Sequence, residues 1–404
     1  MRGLLIVLLG AVVIAACGRA PQAGPGPGGY RLYEAVSTSS GPVVDVVDSR
    51  THTTLGWLPL GTPSADWKHY YAVKAGVLED LDPRSGGIFH TLPLSRPYDV
   101  PSVTISGMRG GLAQNGKWLV LETPASATDS HLLVVGTSFN SAPVAVDLPG
   151  SFAFDAISND GERLYLLQYL SANDYQVRFY DVLGAFLDPT VVIDKFDPTE
   201  PMTGRRLATV PSNDGQWQFT VYARANKGAF IHALQMGGPI SLCLELPGSG
   251  WNSDPSVFRW SLALSPDGTR LYATNGALGL VVEVAASGDQ APAILRTQSI
   301  TGKESPQTPM PMGAGDAVVS PDGHVLAVAG GAGVEWVDVN SMRITANALP
   351  SWTVWSVGVS PDGHSLYALR DSGQIAELST DGLVLSTFDP NSGTPMALMR
   401  VEAA

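Results

Sequence analysis

Histidines and acids are the first residues to test for metal binding or acid–base chemistry. The seven histidines are His52, His69, His90, His131, His232, His324 and His364. None forms His-x-x-x-His or His-Glu-x-x-His, the spacings that place two imidazoles on one face of a helix. Glu79-Asp80-Leu81-Asp82 is acidic enough for calcium, but its spacing fits no EF-hand. The sequence therefore predicts no metal site.

Local signatures of other catalytic or cofactor-binding sites are also missing. The chain contains no Gly-x-Ser-x-Gly elbow, no P-loop and no Rossmann fingerprint. We therefore expect no cofactor and identify no catalytic residue from sequence. A site built from distant loops would leave no such signature, so an enzyme is not excluded.

Cys17 is the residue whose chemistry the sequence identifies most clearly. It follows 13 apolar or small residues (positions 4–16), too few for a spanning helix and typical of a signal peptide. Ile14-Ala15-Ala16-Cys17 resembles a bacterial lipobox, in which the cysteine is acylated and becomes the new N-terminus. We predict a lipoprotein signal peptide over residues 1–16 and lipidation of Cys17. The folded part would then lie on the extracytoplasmic side of a bacterial membrane, at the cell surface or in the periplasm.

The residues after Cys17 predict a tether and then one folded domain. Residues 17–29 are rich in Pro and Gly and contain no large apolar side chain, so they cannot pack into a core. We expect residues 30–404 to form a single domain. The other cysteine, Cys243, lies in an apolar strand pattern and is interpreted as a small buried hydrophobic residue.

A repeated turn motif organises the rest of the chain. The sequence Ser-Pro-Asp-Gly occurs three times, ending at Gly268, Gly323 and Gly363, each time before an apolar strand. Degenerate copies include Asp160 and Asp214, and motif positions recur every 40 to 55 residues. Pro presets φ, Asp accepts hydrogen bonds from its own backbone, and Gly accepts positive φ. We interpret Asp160, Asp214, Asp267, Asp322 and Asp362, with the three glycines, as structural turn residues.

About four short strands fit into each period, which is typical of a β-propeller. In the final period we assign strands a to d to Val354–Val359, Leu366–Arg370, Gln374–Leu378 and Leu383–Phe388. The motif count gives seven four-stranded antiparallel blades, whereas the strand count gives eight. We favour seven and keep eight as the alternative. Pro395–Val401 resembles a lone strand a, so pairing with the N-terminal strands would close the ring.

Strand order places the a–b turns on one face and the d–a and b–c loops on the other, the long-loop face. Long loops often carry function, and Arg, Trp and Tyr are enriched in recognition surfaces. The candidate binding residues on this face are Arg96, Tyr98, Asp99, Asp174, Tyr175, Glu200, Arg205, Arg206, Arg224, Trp251, Asn252, Asp254, Lys303, Arg370 and Asp371.

Charge restricts the possible partners. The formal net charge is −13, and only 15% of residues are charged. Binding to nucleic acid or to an anionic membrane surface requires an excess of Lys and Arg. We therefore expect no nucleic-acid partner and expect the lipid on Cys17 to provide the membrane attachment.

Leu271-Tyr272-Ala273-Thr274-Asn275 after Ser-Pro-Asp-Gly resembles the YVTN-type repeat of bacterial surface and periplasmic propellers. The resemblance spans nearly all of residues 30–404, with a strong consensus in three repeats, and WD40 propellers are a more distant likeness. It implies a propeller fold and does not imply one activity, because propellers host many functions. The leading hypothesis is a binding module that recognises a protein or small ligand through its long-loop face. The alternatives are a lactonase-like hydrolase at the mouth of the central channel and a structural surface protein.

Overall fold

The structure, a computed structural model, describes residues 29–171, 174–199, 202–287, 291–300, 316–330, 332–390 and 393–404. The described residues form β-structure that is antiparallel apart from one parallel strand pair, with no α-helix and one 3-10 helix, Pro255–Arg259. None of their helices is long and apolar enough to cross a bilayer. The expected all-β class is confirmed.

The strands group into eight consecutive units within the described residues. Unit 1 contains β1 (Tyr30–Thr38), β2 (Gly41–Asp48), β3 (Thr53–Pro59) and β31 (Thr394–Ala403). Units 2 and 3 contain β4 (Thr62–Pro63), β5 (Tyr70–Lys74), β6 (Val77–Leu81), β7 (Ile88–Pro93), β8 (Trp118–Glu122), β9 (Asp129–Gly136) and β10 (Val144–Pro149). Units 4 and 5 contain β11 (Phe152–Ile157), β12 (Arg163–Tyr169), β13 (Tyr175–Asp181), β14 (Phe186–Asp194), β15 (Arg205–Pro211), β16 (Trp217–Ala223), β17 (Phe230–Gln235) and β18 (Ile240–Glu245).

Units 6 to 8 complete the chain. They contain β19 (Ser261–Leu264), β20 (Arg270–Asn275), β21 (Leu280–Ala285), β22 (Ala293–Ser299), β23 (Ala317–Val319), β24 (Val325–Gly330), β25 (Gly333–Asp338), β26 (Arg343–Ala348), β27 (Val354–Val359), β28 (Ser365–Arg370), β29 (Ile375–Ser379) and β30 (Val384–Phe388). The four strands of unit 8 agree with the sequence assignment to within one residue at each end. In unit 3, Leu112 forms a single bridge to Leu119 where a full strand a would lie.

Unit 1 is assembled from the two ends of the chain. Its strand order is β3-β2-β1-β31, and β31 pairs antiparallel with β1 from Tyr30 opposite Ala403 to Ser37 opposite Thr394. Because its strands a and b are not consecutive in sequence, unit 1 has no a–b turn. Seven motif positions and eight units are therefore compatible counts.

Apolar side chains fill the contacts between units. Each of eight buried clusters in the described residues combines one face of a unit with the facing side of the next. One of them joins unit 8 to unit 1 through Tyr367, Leu369, Leu32 and Val401. Since a single sheet leaves an apolar face uncovered, these contacts make each unit depend on its neighbours.

The a–b turns have the local geometry that the motif predicts. Ser265 Oγ donates to Asp267 at 2.5 Å, and Asp267 accepts from the Thr269 backbone N–H at 3.0 Å. The same Ser-to-Asp contact involves Asp160, Asp214, Asp322 and Asp362. The turns also pack on one another, because the second residue of one turn lies against the glycine of the next. A Cβ on Gly268 would come within 2.5 Å of Asn213 Nδ2, and one on Gly363 within 3.3 Å of Pro321 Cδ.

Two glycine substitutions separate backbone strain from this packing between turns. Gly116 and Gly268 both have φ +72°, but only Gly268 has a neighbour within 4 Å of the added Cβ. We expect Gly116→Ala to destabilise the protein by about 1–2 kcal/mol through φ strain alone. Gly268→Ala should cost about 1–3 kcal/mol more, because Asn213 must also move. Chemical denaturation of both variants measures the difference, and equal losses would show that the packing contributes nothing.

Candidate functional site

The structure places thirteen of the fifteen candidate binding residues, while Glu200 and Lys303, like Cys17, lie outside the described residues. Several of the thirteen are buried or paired within the chain. Tyr98 and Tyr175 are buried. Arg224 is buried as well, donates to the Gly228 carbonyl at 2.7 Å and forms an ion pair with Glu245. These side chains stabilise loops and are not available as a recognition rim.

Other candidates are held in contacts on or near the surface. Arg96 donates to Asp147 at 2.7 Å. Arg370 lies over the Trp352 ring at 5.2 Å and donates to Gln374 at 2.8 Å. Asp174 accepts from Ser171 Oγ at 2.7 Å. Asp371 is exposed at the start of the β28–β29 loop.

One group of candidates forms a surface patch where units 5 and 6 meet. The Arg205 guanidinium lies 5.4 Å from the centre of the Trp251 ring, which stacks on Phe258 at 5.3 Å. Asn252 donates to Asn226 at 2.7 Å. Asp254 accepts from the Ser256 N–H and caps the 3-10 helix. The loops that carry Arg205, Asn226 and Trp251 therefore contact one another in the structure.

The long loop between units 2 and 3 contacts two units that are distant from it in sequence. We call residues 102–111 the channel loop. Its Ile105 N–H donates to the Arg206 carbonyl at 2.9 Å, and Arg206 Nη2 donates back to the Ser102 carbonyl at 2.8 Å. On the other side, Met108 packs in the cluster that contains Met396 of β31. The loop thus contacts strands of both unit 5 and unit 1.

Charged residues gather beneath the channel loop. Arg109 Nη2 lies 2.9 Å from Asp99 Oδ2, and Arg109 also donates to the Val100 carbonyl. Glu122 accepts from the Phe154 N–H at 2.9 Å. Burial raises the pKa of Glu122, and Arg206 and Arg109 oppose that shift. We call Asp99, Arg109, Glu122, Asp155 and Arg206 the channel-mouth cluster.

Asp155 is the most deeply buried carboxylate of this cluster. It lies where β11 loses register with β12, between Phe154 and Ala156, and its side chain is 1% exposed. Arg206 Nη1 is 3.5 Å from Asp155 Oδ1, and the Tyr222 hydroxyl donates to the same oxygen at 3.5 Å. Asp155 Oδ2 has no hydrogen-bond partner. Burial raises the pKa of Asp155, with Arg206 acting in the opposite direction.

Asp155 and Arg109 line a cavity of about 380 Å³ within the channel. Its polar lining includes Thr62, Thr104 and Thr209. The volume is within the range of small-molecule sites, where a few polar groups in an apolar wall orient the ligand. Asp155, whose Oδ2 has no hydrogen-bond partner, is therefore one of the residues around a space that accepts a small polar molecule.

Sequence analysis found part of this cluster and missed its centre. Asp99 and Arg206 were among the candidate residues, whereas Arg109, Glu122 and Asp155 were not. Asp155 carried one signal: it is an ionisable residue inside the apolar run Phe152-Ala153-Phe154-Asp155-Ala156-Ile157. An acid in such a run must find a partner or change its pKa when the strand is buried.

No family model matches the chain, and no curated protein matches it in sequence. Solved structures do resemble it. AztD from Citrobacter koseri is 14% identical, with a TM-score of 0.56, over 93% of this chain and 98% of that protein. The dihydro-heme d1 dehydrogenase NirN is 12% identical, with a TM-score of 0.51, over 82% of this chain and 66% of that one. At these identities the likeness shows the fold, a β-propeller, and leaves the activity open.

Proposed function

We propose that this protein is a lipid-anchored β-propeller on the extracytoplasmic side of a bacterial membrane, and that it binds a small polar ligand in the channel cavity. The observation that carries the binding proposal is Asp155, a cavity-lining residue with a buried carboxylate, one oxygen of which has no hydrogen-bond partner. Leaving such an oxygen unpaired costs about 1–3 kcal/mol or more. A ligand that donates a hydrogen bond there recovers that free energy.

We infer that the eight units are eight blades of a closed ring. The pairing of β31 with β1 and the apolar cluster between units 8 and 1 support closure. The second blade has little sequence available for its strand a, and β4, which occupies that place, is accordingly only two residues long. The lipid anchor is supported by the sequence before Gly29, where the lipobox and the Pro/Gly tether precede the first strand.

The cluster favours a hydroxylated, neutral or weakly cationic ligand. Both arginines already lie beside a carboxylate, Arg109 beside Asp99 and Arg206 beside Asp155, so an anionic ligand would compete with these acids. A polyol or sugar lactone offers hydroxyl donors to Asp155 and oxygen acceptors to Arg109. The threonine hydroxyls in the cavity lining are suited to further hydrogen bonds with such a ligand.

Thermal-shift screening of the full chain, purified from membranes, tests the proposal with polyols, sugar lactones and small amines. We expect one class to raise the unfolding temperature. Calorimetry should then show binding that Asp155→Asn weakens at least tenfold, because the amide is uncharged and replaces one acceptor oxygen with an NH2 donor. Asp371→Asn, an exposed change on the long-loop face, is the matched control.

The lipid anchor is tested by a separate substitution. Cys17→Ser should move the protein from the membrane fraction to the soluble fraction.

The ligand-binding experiment also separates binding from catalysis. A carboxylate with a raised pKa can act as a general base that takes a proton from a water molecule as this water attacks an ester carbonyl. This chemistry keeps a lactonase-like hydrolase as the second candidate. Turnover of a bound lactone by the wild type, lost in Asp155→Asn, would identify the hydrolase; recovery of the lactone unchanged would identify the binding protein. If no compound shifts the wild type, or if Asp155→Asn binds equally well, the cavity proposal is wrong.

A further inference from the structure

A second polar group lies in the contact between units 4 and 5, away from the channel cavity. Met202, His232 and Cys243 do not line that cavity. They lie beside the cluster formed by Tyr175, Val177 and Val192 of unit 4 with Tyr222 and Phe230 of unit 5. The outer strands β14 and β18 pair in parallel at this contact, which joins the two units into one eight-stranded sheet.

His232 is buried here without a hydrogen-bond partner for either ring nitrogen. The residue is 1% exposed, and both Nδ1 and Nε2 are unpartnered. The ring packs among apolar and aromatic side chains, and such surroundings disfavour its charged form. A neutral imidazole has one lone pair available for a metal ion. Core histidines ordinarily pair at least one nitrogen, so this one requires an explanation.

Cys243 lies directly opposite His232. The two residues are register partners on the antiparallel strands β17 and β18. Neighbouring even-numbered side chains of β17, Phe230 and Leu234, belong to the same cluster as Cys243, so His232 projects toward the same face. Direct cross-strand pairs have Cβ atoms about 4.5–5.5 Å apart. The imidazole and the thiol therefore extend into a common space.

Met202 brings a second sulfur to this space. Its Sδ is 4.0 Å from Cys243 Sγ. The Met202 carbonyl accepts from the Tyr175 N–H at 3.1 Å, and Thr203 bridges to Asp174, so the Met202 backbone is held beside unit 4. Cys243 and Met202 are partly exposed, whereas His232 is not. The two residues that carry sulfur therefore reach solvent, whereas the imidazole does not.

We propose that Met202, His232 and Cys243 form a binding site for one Cu(I) ion. Thioether, thiol and imidazole are the ligands that soft monovalent copper prefers. One thiolate and one Cu(I) sum to zero charge, whereas a divalent ion would leave a net positive charge among apolar residues. Binding would form a Cu–S bond and release the Cys243 thiol proton to solvent, with no change in oxidation state. No three His, Cys, Asp or Glu in the described ranges converge on a metal site, and this site differs because it includes a thioether.

Competition with bicinchoninate under anaerobic conditions tests the site, using Cu(I) alone as the probe and the full chain as the protein. We expect one equivalent of Cu(I) to be withdrawn from the chelator. Loss of a group that only orients a metal ligand costs 10–100-fold in metal affinity. Loss of a ligand itself, in Cys243→Ser or Met202→Leu, should therefore weaken Cu(I) binding at least tenfold. Copper X-ray absorption should show two sulfur neighbours in the wild type and one in Cys243→Ser.

His232→Phe keeps the test informative if other variants fold poorly. The substitution preserves a ring against Tyr222, 6.2 Å away, and removes two unpartnered buried nitrogens. We expect it to lose Cu(I) binding while its stability without metal is unchanged or higher. Met342→Leu, a buried methionine in the contact of units 6 and 7, and Cys17→Ser are the controls that should bind normally. The proposal is overturned if the wild type withdraws no copper, if Cys243→Ser binds normally, or if Cys17→Ser abolishes binding.

Discussion

A chain that ends at residue 393 is expected not to fold. The truncation removes β31, which pairs with β1 along almost its whole length. It also removes Leu398 and Val401 from the cluster that joins units 8 and 1. Folded domains are stable by only about 5–15 kcal/mol, and this loss uncovers two apolar faces and one strand edge. Circular dichroism should show no cooperative thermal transition.

A permuted chain is the matched comparison for this truncation. The Ala404 N–H donates to the Gly29 carbonyl at 3.2 Å, so the two termini are adjacent. The permuted chain begins at residue 394 and runs to Ala404. An added Ser-Pro-Asp-Gly turn then leads to Gly29, and the chain ends at residue 393. This order restores β31 to unit 1. It gives unit 1 the a–b turn that the other units have. We expect this chain to fold cooperatively. A truncated chain with the same unfolding temperature as the full chain would disprove the dependence on β31.

Glu34→Gln is expected to stabilise the protein at pH 8 and to change it little at pH 5. Glu34 is 1% exposed, and its Oε2 has no partner. Burial raises the pKa of Glu34 to about 8 from 4.5, and the negative charges of Asp45 and Asp389 add to the shift. A raised acid pKa means that the folded state binds the proton more tightly than the unfolded state. Its contribution to the free energy of unfolding therefore falls as pH rises from about 4.5 to about 8.

The size of this loss in the free energy of unfolding follows from the linkage between proton binding and folding. The shift spans about 3.5 pH units at about 1.4 kcal/mol per unit, and most of it lies between pH 5 and pH 8, where the loss is about 3 kcal/mol. Glutamine cannot ionise, so Glu34→Gln should remove that part of the pH dependence. Urea denaturation at the two pH values measures it, with the exposed Glu162→Gln as control. Parallel stability–pH curves for wild type and Glu34→Gln would show that Glu34 does not ionise with a raised pKa.

The turns show how much local sequence can predict. Each Ser-Pro-Asp-Gly segment contains the hydroxyl, the carboxylate and the glycine that its own turn requires, within four consecutive residues. The strands of unit 8 were assigned nearly to the residue for the same reason, since alternation and turn chemistry are local properties. The contact between successive turns was not predictable, because Asn213 and Gly268 meet only after two units stack.

The candidate binding residues of the long-loop face show where inference from the local sequence fails. Loop length and residue type placed Tyr98, Tyr175 and Arg224 on an exposed rim, and all three are buried. A loop that folds inward has the same composition as one that stays in solvent. The channel loop is the clearest example, since its position depends on hydrogen bonds with Arg206, about one hundred residues further along the chain.

Sequence alone determined the all-β class, the repeated turn, the period of four strands and the expectation of a lipoprotein signal. All of these depend on neighbouring residues or on a short period. Only the tertiary structure decided which ionisable groups meet, because Asp155 contacts Arg206 and Tyr222 across the stacked units. The pKa of a side chain depends on the solvent and charges around it, and those are set when distant strands come together. The chemistry of this protein therefore arises from the packing of its units, whereas its architecture is encoded within each repeat.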